Sequence, residues 1–236
     1  AYKTHEAVRN TEGDRLLDED GFAIYTAVNY SLKGFGLSVQ YRKNRYMDMR
    51  TSPYVDPLEG IINFMPPITK QQSQVLTGRY SPQTLSFGEE GYQLEMVLTP
   101  SRGNTITLNM SYVNDGSDPR LFSAPAIAFE GDADTTNPTV KLYHEIHADY
   151  TRKWNKRFKT MVGLQWLNYN REVYQGKPGA KMVEAIVPYG EVTYKLDRRK
   201  SLKFQGKYMR TEEDQGDFVY LLLEYTMAPR FSITIA

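Results

Sequence analysis

Three residues in the middle of the chain have the types and the spacing to do chemistry. Glu145, His147 and Asp149 alternate with Ile146 and Ala148, so on an extended strand all three point to the same side. A carboxylate beside an imidazole can act in general acid–base catalysis, and the same groups can bind a metal ion. A salt-bridged polar wall inside a barrel has the same composition. We favour that wall, because structural ion-pair networks are common.

Other patterns for catalysis or metal binding fall short. His144 and His147 point to opposite faces of a predicted strand, so this pair does not form a zinc motif. The acidic segment 131–137 offers oxygen ligands but lacks the Gly and Glu positions of a calcium-binding EF-hand. The sequence also lacks Walker, Rossmann and nucleophile-elbow patterns. We therefore predict no enzyme activity, no catalytic, cofactor-binding or metal-binding residues, and no cofactor.

The composition excludes further classes of function. The 236 residues contain 29 Lys and Arg against 28 Asp and Glu, and they contain no Cys. The near-neutral charge argues against a nucleic-acid partner, and the absence of Cys excludes disulfides and thiol chemistry. The apolar runs are too short for a transmembrane helix. A mean hydropathy of -0.56 remains compatible with transmembrane strands, because only every second residue of such a strand meets lipid.

Period-two alternation of apolar and polar residues is the dominant pattern. It is clearest over 35–41, 92–98 and 106–112, and it recurs through the second half of the chain. This periodicity predicts about ten strands of roughly 9 to 14 residues, joined as hairpins. A tilted strand needs about 9 to 11 residues to cross a bilayer, whereas strands of globular proteins average about 5 to 6.

The connections between the predicted strands alternate in length. Short turns are predicted near 31–34, 99–103, 151–157, 197–200 and 228–230, and longer polar loops near 44–89, 114–138, 172–180 and 212–217. Short turns at one rim and long loops at the other are typical of an up-and-down membrane barrel. We therefore predict an all-β, antiparallel, up-and-down transmembrane β-barrel that forms one domain over 1–236. A long-stranded soluble barrel is the closest soluble alternative.

The two predicted strand faces differ in chemistry. One face carries charged and polar side chains that would be costly toward lipid but ordinary in a hydrated lumen. The lumen-facing candidates are Glu145, His147, Asp149, Lys159, Glu191, Lys195 and Lys203. The other face carries aliphatic residues, with aromatic residues toward the strand ends that are typical of a lipid-facing girdle. The girdle candidates are Tyr30, Tyr41, Tyr112, Tyr150, Trp154, Trp166, Tyr194 and Tyr225.

The long outer loop predicted at 44–89 needs its own interpretation. It contains apolar stretches and the Pro66-Pro67 pair, and structured loops of such length are usually functional. It can fold into the lumen as a constriction, cover the outer mouth or dock a partner. An extra short hairpin within the loop is a simpler alternative.

Three stretches resemble an uncharacterised family of outer-membrane barrels from Bacteroidota. They are Tyr189-Gly190-Glu191-Val192-Thr193-Tyr194-Lys195-Leu196-Asp197-Arg198-Arg199-Lys200-Ser201-Leu202, Glu213-Asp214-Gln215-Gly216-Asp217 and Leu223-Glu224-Tyr225-Thr226-Met227-Ala228-Pro229. The resemblance is strongest over 139–236. It implies a precursor with a signal peptide, a place in the bacterial outer membrane, and a barrel larger than this chain. The chain would then be the C-terminal part of that barrel. The resemblance transfers no catalytic residue.

Two classes of function follow from this interpretation. We expect a structural or accessory subunit of an outer-membrane secretion, assembly or uptake complex in a Gram-negative bacterium. Its partners would be the lipid bilayer, lipopolysaccharide and other outer-membrane proteins or lipoproteins. A porin-like channel for small solutes is the alternative, and a soluble β-barrel binding protein is a weaker one.

Overall fold

The structure is a computed structural model that describes residues 2–9, 16–47, 67–70, 75–85, 88–116, 141–177 and 179–236, with the backbone alone for residues 2–9, 16–20 and 75. Within these residues, eleven strands form one sheet in sequence order, and each strand pairs antiparallel with the next. The predicted all-β, antiparallel, up-and-down architecture is therefore confirmed. The strands are β1 (Tyr2–Arg9), β2 (Leu16–Leu32), β3 (Phe35–Arg45), β4 (Gly88–Ser101), β5 (Asn104–Asp115), β6 (Lys141–Lys153), β7 (Phe158–Tyr169), β8 (Val183–Lys195), β9 (Lys200–Met209), β10 (Phe218–Met227) and β11 (Phe231–Ile235).

Cross-strand apolar pairs set the register of the sheet. Between β4 and β5, Leu94 lies opposite Met110 and Met96 lies opposite Leu108. Such pairs stabilise the strands locally, and a slip by one residue would turn every one of these side chains to the other face. The period-two pattern therefore fixes both the strands and their partners.

The connections lie at two ends of the sheet and differ in length, as the sequence predicts. The turn end holds the short connections 33–34, 102–103, 154–157, 196–199 and 228–230. Gly34 and Gly103 have φ angles of +82° and +87°, which a two-residue hairpin turn requires and which side chains with a Cβ rarely adopt. The loop end holds the longer connections, including a 3₁₀ helix (Val75–Tyr80) and the short helix α1 (Arg171–Gln175).

One long connection folds back over the sheet. Residues 67–70 and 75–85, here called the inserted segment, lie against one face of the sheet, which we call the inner face. Ile68 and Tyr80 are both buried there. The core joins Tyr80 to side chains of β5, β7, β8 and β9, including Val113, Leu167 and Met209. The inserted segment therefore packs across five consecutive strands, from β5 to β9.

One residue assignment on β6 needs correction. The alternation predicts Leu142 on the same face as Ile146, but Leu142 is buried in the core. A register shift lies between Val113 and Asn114, where β5 pairs with β6, and Leu142 is the extra residue there. Such a bulge redirects a side chain that strict alternation would place on the other face.

Within the described residues, no helix is long and apolar enough to cross a membrane.

Candidate functional site

The predicted chemical triplet lies on the inner face, beneath the inserted segment. Glu145, His147 and Asp149 follow one another along β6, and Lys70 of the inserted segment reaches them from above. Lys70 Nζ lies 2.8 Å from His147 Nδ1 and 3.4 Å from Asp149 Oδ2. The structure therefore joins two of the three predicted residues through a cation that the sequence analysis did not identify.

Both ring nitrogens of His147 are engaged. An ammonium group can only donate, so Lys70 donates to Nδ1 and the ring proton of neutral His147 sits on Nε2. Nε2 lies 2.5 Å from the hydroxyl of Tyr189, whose ring stacks on the imidazole at 5.7 Å. His147 is 4 % exposed. In this arrangement the imidazole has no free lone pair with which to abstract a proton.

Gly163 makes this stacking possible. It lies opposite both Asp149 and Tyr189 in the sheet, and a Cβ at this position would clash with the Tyr189 ring. The Tyr189 ring thus packs over the backbone of β7 at Gly163 and contacts His147. Aromatic side chains often cover strand glycines in this manner. Gly91 plays the same part for the inserted segment, since its missing side chain leaves room for Ile68.

Several polar groups around this centre are paired within the protein. Gln165 Nε2 donates to Glu145 Oε1 at 2.7 Å. Arg42 and Glu89 form an ion pair, with both side chains almost fully buried. Burying a charge is tolerated only where a partner compensates the lost hydration. The part of the inner face beneath the inserted segment is therefore a polar network under a cover.

A second cluster fastens the inserted segment at the loop end. The Asp214 carboxylate, in the connection from β9 to β10, accepts hydrogen bonds from Arg79 Nε at 2.9 Å and the Tyr80 hydroxyl at 3.0 Å. Arg171 Nη2 lies 3.1 Å from its other oxygen. Asn170 places Arg171 by capping α1, since its side chain accepts the backbone N–H of Val173 at 3.1 Å. We call Arg79, Tyr80, Arg171 and Asp214 the latch.

The electrostatics of the latch suit its geometry. Burial, and then the hydrogen bond to the Asp214 carboxylate, raise the pKa of Tyr80 to about 12. Tyr80 is therefore a donor at neutral pH. Desolvation opposes ionisation of Asp214, but the hydrogen bond from Tyr80 and the charges of Arg171 and Arg79 outweigh it and lower the pKa of Asp214. The latch is therefore an ionised, mutually stabilised group.

The remaining lumen-facing candidates lie on the inner face near the turn end. Glu191 Oε2 lies 3.2 Å from Lys203 Nζ and accepts a hydrogen bond from Gln205 at 2.5 Å. Lys159 lies opposite Thr193, the neighbour of Lys203 in the register. Lys195 ends β8 and is exposed. These residues form a group separate from the one around His147.

The girdle candidates occupy the opposite face, which we call the outer face. Tyr41, Tyr92 and Tyr112 form one row of neighbours across β3, β4 and β5 near the loop end. Near the turn end, Tyr30 meets Phe35 edge to face at 6.3 Å, and Tyr225 meets Phe231 at 6.2 Å. The remaining candidates Tyr150, Trp166 and Tyr194 lie on the outer face of β6, β7 and β8, and Trp154 lies in the turn between β6 and β7.

His144 falls in the aromatic row near the loop end. It is the cross-strand neighbour of Tyr112, whose ring it meets at 4.9 Å, and its Nε2 lies 2.9 Å from Asn114 Oδ1. Next to it across the sheet is Asn168. His144 therefore lies at the edge of the apolar surface, beside the polar side chains of Asn114 and Asn168.

Local sequence patterns do not identify the residues that organise both clusters: Lys70, Tyr80, Gly163, Tyr189 and Asp214. One feature of the sequence indicates that the inner face is covered. The run Ala185–Val187 is apolar at every position, and such a run is typical of a strand covered on both faces. It indicates a cover over the inner face but does not identify the covering segment.

In the described part of the chain, no three His, Asp or Glu side chains converge as a metal site.

The comparisons with known proteins place the chain within a family. The model of a family described as a family of unknown function (DUF6029) matches residues 1–236. No curated protein matches the chain.

Proposed function

The chain belongs to the DUF6029 family, and we propose that it acts in the outer membrane of a Gram-negative bacterium as part of a transmembrane β-barrel. Within that membrane we assign it to a structural or accessory subunit of a secretion, assembly or uptake complex. The proposal follows from the distribution of side chains over the two faces of the sheet. It needs no catalytic group.

The single observation that carries the proposal is the exposed apolar surface of the outer face. Val162, Val219 and Ile233 are 57 %, 68 % and 56 % exposed, although they are among the most hydrophobic residue types. Comparable side chains line the outer face from β2 to β11. Water-soluble monomers rarely expose a contiguous apolar surface larger than a few hundred Å². A lipid environment removes this cost.

The dimensions of the apolar surface match a bilayer. Strands β4 to β8 are 12 to 14 residues long. On β7, the aliphatic stretch between Trp166 and Phe158 spans about 27 Å along the strand at about 3.4 Å per residue. A tilted strand of this length crosses the hydrocarbon layer. The aromatic rows at both ends lie where the headgroups would begin.

The inner face favours an accessory or structural role over an open channel. A porin needs a water-filled lumen lined by charges that meet the solute. Here the inserted segment covers the upper inner face, and the buried charges of Arg42, Glu89 and Asp214 are paired with one another or with the inserted segment. This arrangement obstructs the passage of solutes along the inner face. The outer face and the loops remain as the surfaces for a partner.

Planar-bilayer conductance of the purified full-length mature protein, together with whatever copurifies, tests the proposal. We expect silence from the wild type, a stoichiometric companion protein in the preparation, and irregular current steps from Asp214→Ala, which releases the latch. Asp197→Ala, at an exposed turn position, is the matched control and should stay silent. Steady wild-type channels would indicate the porin-like function instead. Failure to enter bilayers would indicate a soluble protein.

A further inference from the structure

We infer that the turn end of the sheet binds the phosphate groups of anionic phospholipids. This inference rests on the proposed membrane location, because short turns of outer-membrane barrels lie at the periplasmic leaflet, which consists of phospholipid. It adds a ligand class and a set of binding residues to that location. The residues are the cations of the five short turns, here called the turn rim.

The two largest groups of cations in the turn rim flank β7 and β8. The end of β6 and the turn after it carry Lys153, Lys156 and Arg157, and all three are exposed. The turn after β8 carries the exposed pair Arg198 and Arg199, followed by Lys200. Because β6 to β9 are consecutive in the sheet, these two groups are neighbours at its turn end.

The three other turns add one cation each. They are Lys33 between β2 and β3, Arg102 between β4 and β5, and Arg230 between β10 and β11, all exposed. Every short turn thus contributes at least one positive charge. This spacing along the edge suits a row of separate headgroups better than one compact ligand.

Carboxylates are almost absent from the turn rim. Asp197 is the one acidic residue in the five turns, and its Oδ1 accepts the backbone N–H groups of Arg199 at 2.7 Å and Lys200 at 3.0 Å. Those bonds hold the turn and lower the pKa of Asp197. Among the described residues, the only ion pair in these turns joins Lys200 to Asp197, at 4.0 Å. The other cations have no carboxylate partner in that part of the chain.

The loop end shows the contrast. Several of its cations are paired with carboxylates of the same chain: Lys43 with Glu90 at 3.3 Å, Arg210 with Glu212 at 3.0 Å, and Arg79 with Asp214 at 2.9 Å. The chain as a whole carries a formal net charge of only +1. The surplus positive charge at the turn end is therefore a local property that calls for an anion from outside.

Trp154 places these cations at the level of the headgroups. Its Nε1 donates to Thr160 Oγ1 at 2.9 Å, which holds the indole over the outer face, and the Arg152 guanidinium stacks on the ring at 3.9 Å. Indole rings prefer the boundary between hydrocarbon and headgroups. A cation fixed beside such a ring lies where lipid phosphates lie. Basic residues next to an anionic membrane surface each contribute measurably to binding.

The two tryptophans of the chain provide the test. Trp154 lies at the turn end and Trp166 lies nearer the loop end, so Trp166→Phe and Trp154→Phe, with any tryptophan outside this chain also replaced by Phe, each leave a single reporter at one end. Each full-length protein is reconstituted in phosphatidylcholine vesicles that contain a minor fraction of brominated phosphatidylglycerol or, in parallel, brominated phosphatidylcholine. Bromine quenches the fluorescence of a nearby indole, so the ratio of the two quenching efficiencies reports enrichment of the anionic lipid.

We expect brominated phosphatidylglycerol to quench Trp154 at least about twice as efficiently as brominated phosphatidylcholine does, which gives a ratio of about two or more. The ratio at Trp166 should stay near one. Replacing Lys156, Arg157, Arg198 and Arg199 by Gln should bring the Trp154 ratio to one. The control replaces four cations at the loop end by Gln, namely Lys177, Lys181, Arg210 and Lys141. These replacements should leave the Trp154 ratio unchanged. High salt should also abolish the preference.

Three outcomes separate this inference from the proposed function. Equal quenching of Trp154 by both lipids overturns the inference while the membrane location stands. A preference that survives the four turn replacements also overturns it, because the cations would not be its cause. Absence of quenching by either lipid in both reporters overturns the membrane location and the inference together.

Discussion

The two faces of strand β7 show the organisation of the molecule most plainly. On the outer face, Val162 and Leu164 are 57 % and 50 % exposed, whereas on the inner face the amide of Gln165 is 1 % exposed. A water-soluble sheet has the opposite distribution, with aliphatic residues inside and amides outside. The outer face therefore has the side chains that the proposed membrane location requires, and the part of the inner face beneath the inserted segment is covered by the chain itself.

The inner face itself changes along the strands. In its upper part, near the loop end, apolar side chains of the strands pack against Tyr80 of the inserted segment. Its lower part carries Glu191 and Lys203 without such a cover. The inserted segment therefore closes one end of the inner face, where the latch also lies.

The largest effect is expected from a charge on the outer face. Val162→Arg should cost about 2–4 kcal/mol of stability in a bilayer, because the guanidinium would lie near its midplane. In water, a substitution at so exposed a site would change stability by at most about 0.5 kcal/mol. The free energy of unfolding in lipid vesicles, measured with denaturant, distinguishes the two. Met161→Arg is the matched control, since Met161 lies opposite Glu191 on the inner face and should tolerate the charge.

A smaller loss is expected from a methyl group on the inner face. Gly163→Ala drives a Cβ into the Tyr189 ring and should cost about 1–3 kcal/mol, because Tyr189 must leave His147. The unfolding free energy measures this loss. Gly36→Ala, which meets nothing within 4 Å, should be neutral or slightly stabilising. In the double variant with Tyr189→Ala the two losses should not add, and strict additivity would contradict the packing described here.

A still smaller effect is expected at the latch. Asp214→Asn removes the charge that Arg79 and Arg171 share and should cost about 1–2 kcal/mol, since the Arg79 side chain is partly solvated. Its clearest sign should be faster proteolysis within the inserted segment of the folded protein. Unchanged cleavage there would show that Asp214 does not hold that segment.

The latch should also respond to acid. The pKa of Asp214 is lowered in the folded protein, so its contribution to stability is complete above the ordinary Asp value and is lost as pH falls through the lowered pKa. Cleavage of the inserted segment by an acid-active protease should therefore increase only below about pH 4. The Asp214→Asn protein should lack this transition, and a transition at higher pH would contradict the assignment.

Sequence periodicity predicted the strands and turns well because these depend on local alternation. The turn that ends at Gly34 and the pairing of Leu94 with Met110 follow directly from it. The path of the inserted segment did not follow, since Lys70 and Tyr80 meet partners 79 and 134 residues away and no local pattern encodes such contacts. Strand β1 was also missed, because its residues mix charges with few apolar positions. The bulge that buries Leu142 also breaks the alternation, because it depends on packing between distant parts of the chain rather than on local sequence.

The central claim is that the outer face meets lipid, and spin labels test it most directly. This chain has no Cys, so Val162→Cys and Lys159→Cys each provide one labelling site, on the outer and inner face respectively, once any Cys outside the chain is replaced by Ser. In the reconstituted full-length protein, power saturation should show the label at 162 accessible to dissolved oxygen and shielded from a water-soluble nickel complex. The label at 159 should show the reverse. A label at 162 that the nickel complex reaches freely would contradict the membrane-spanning sheet.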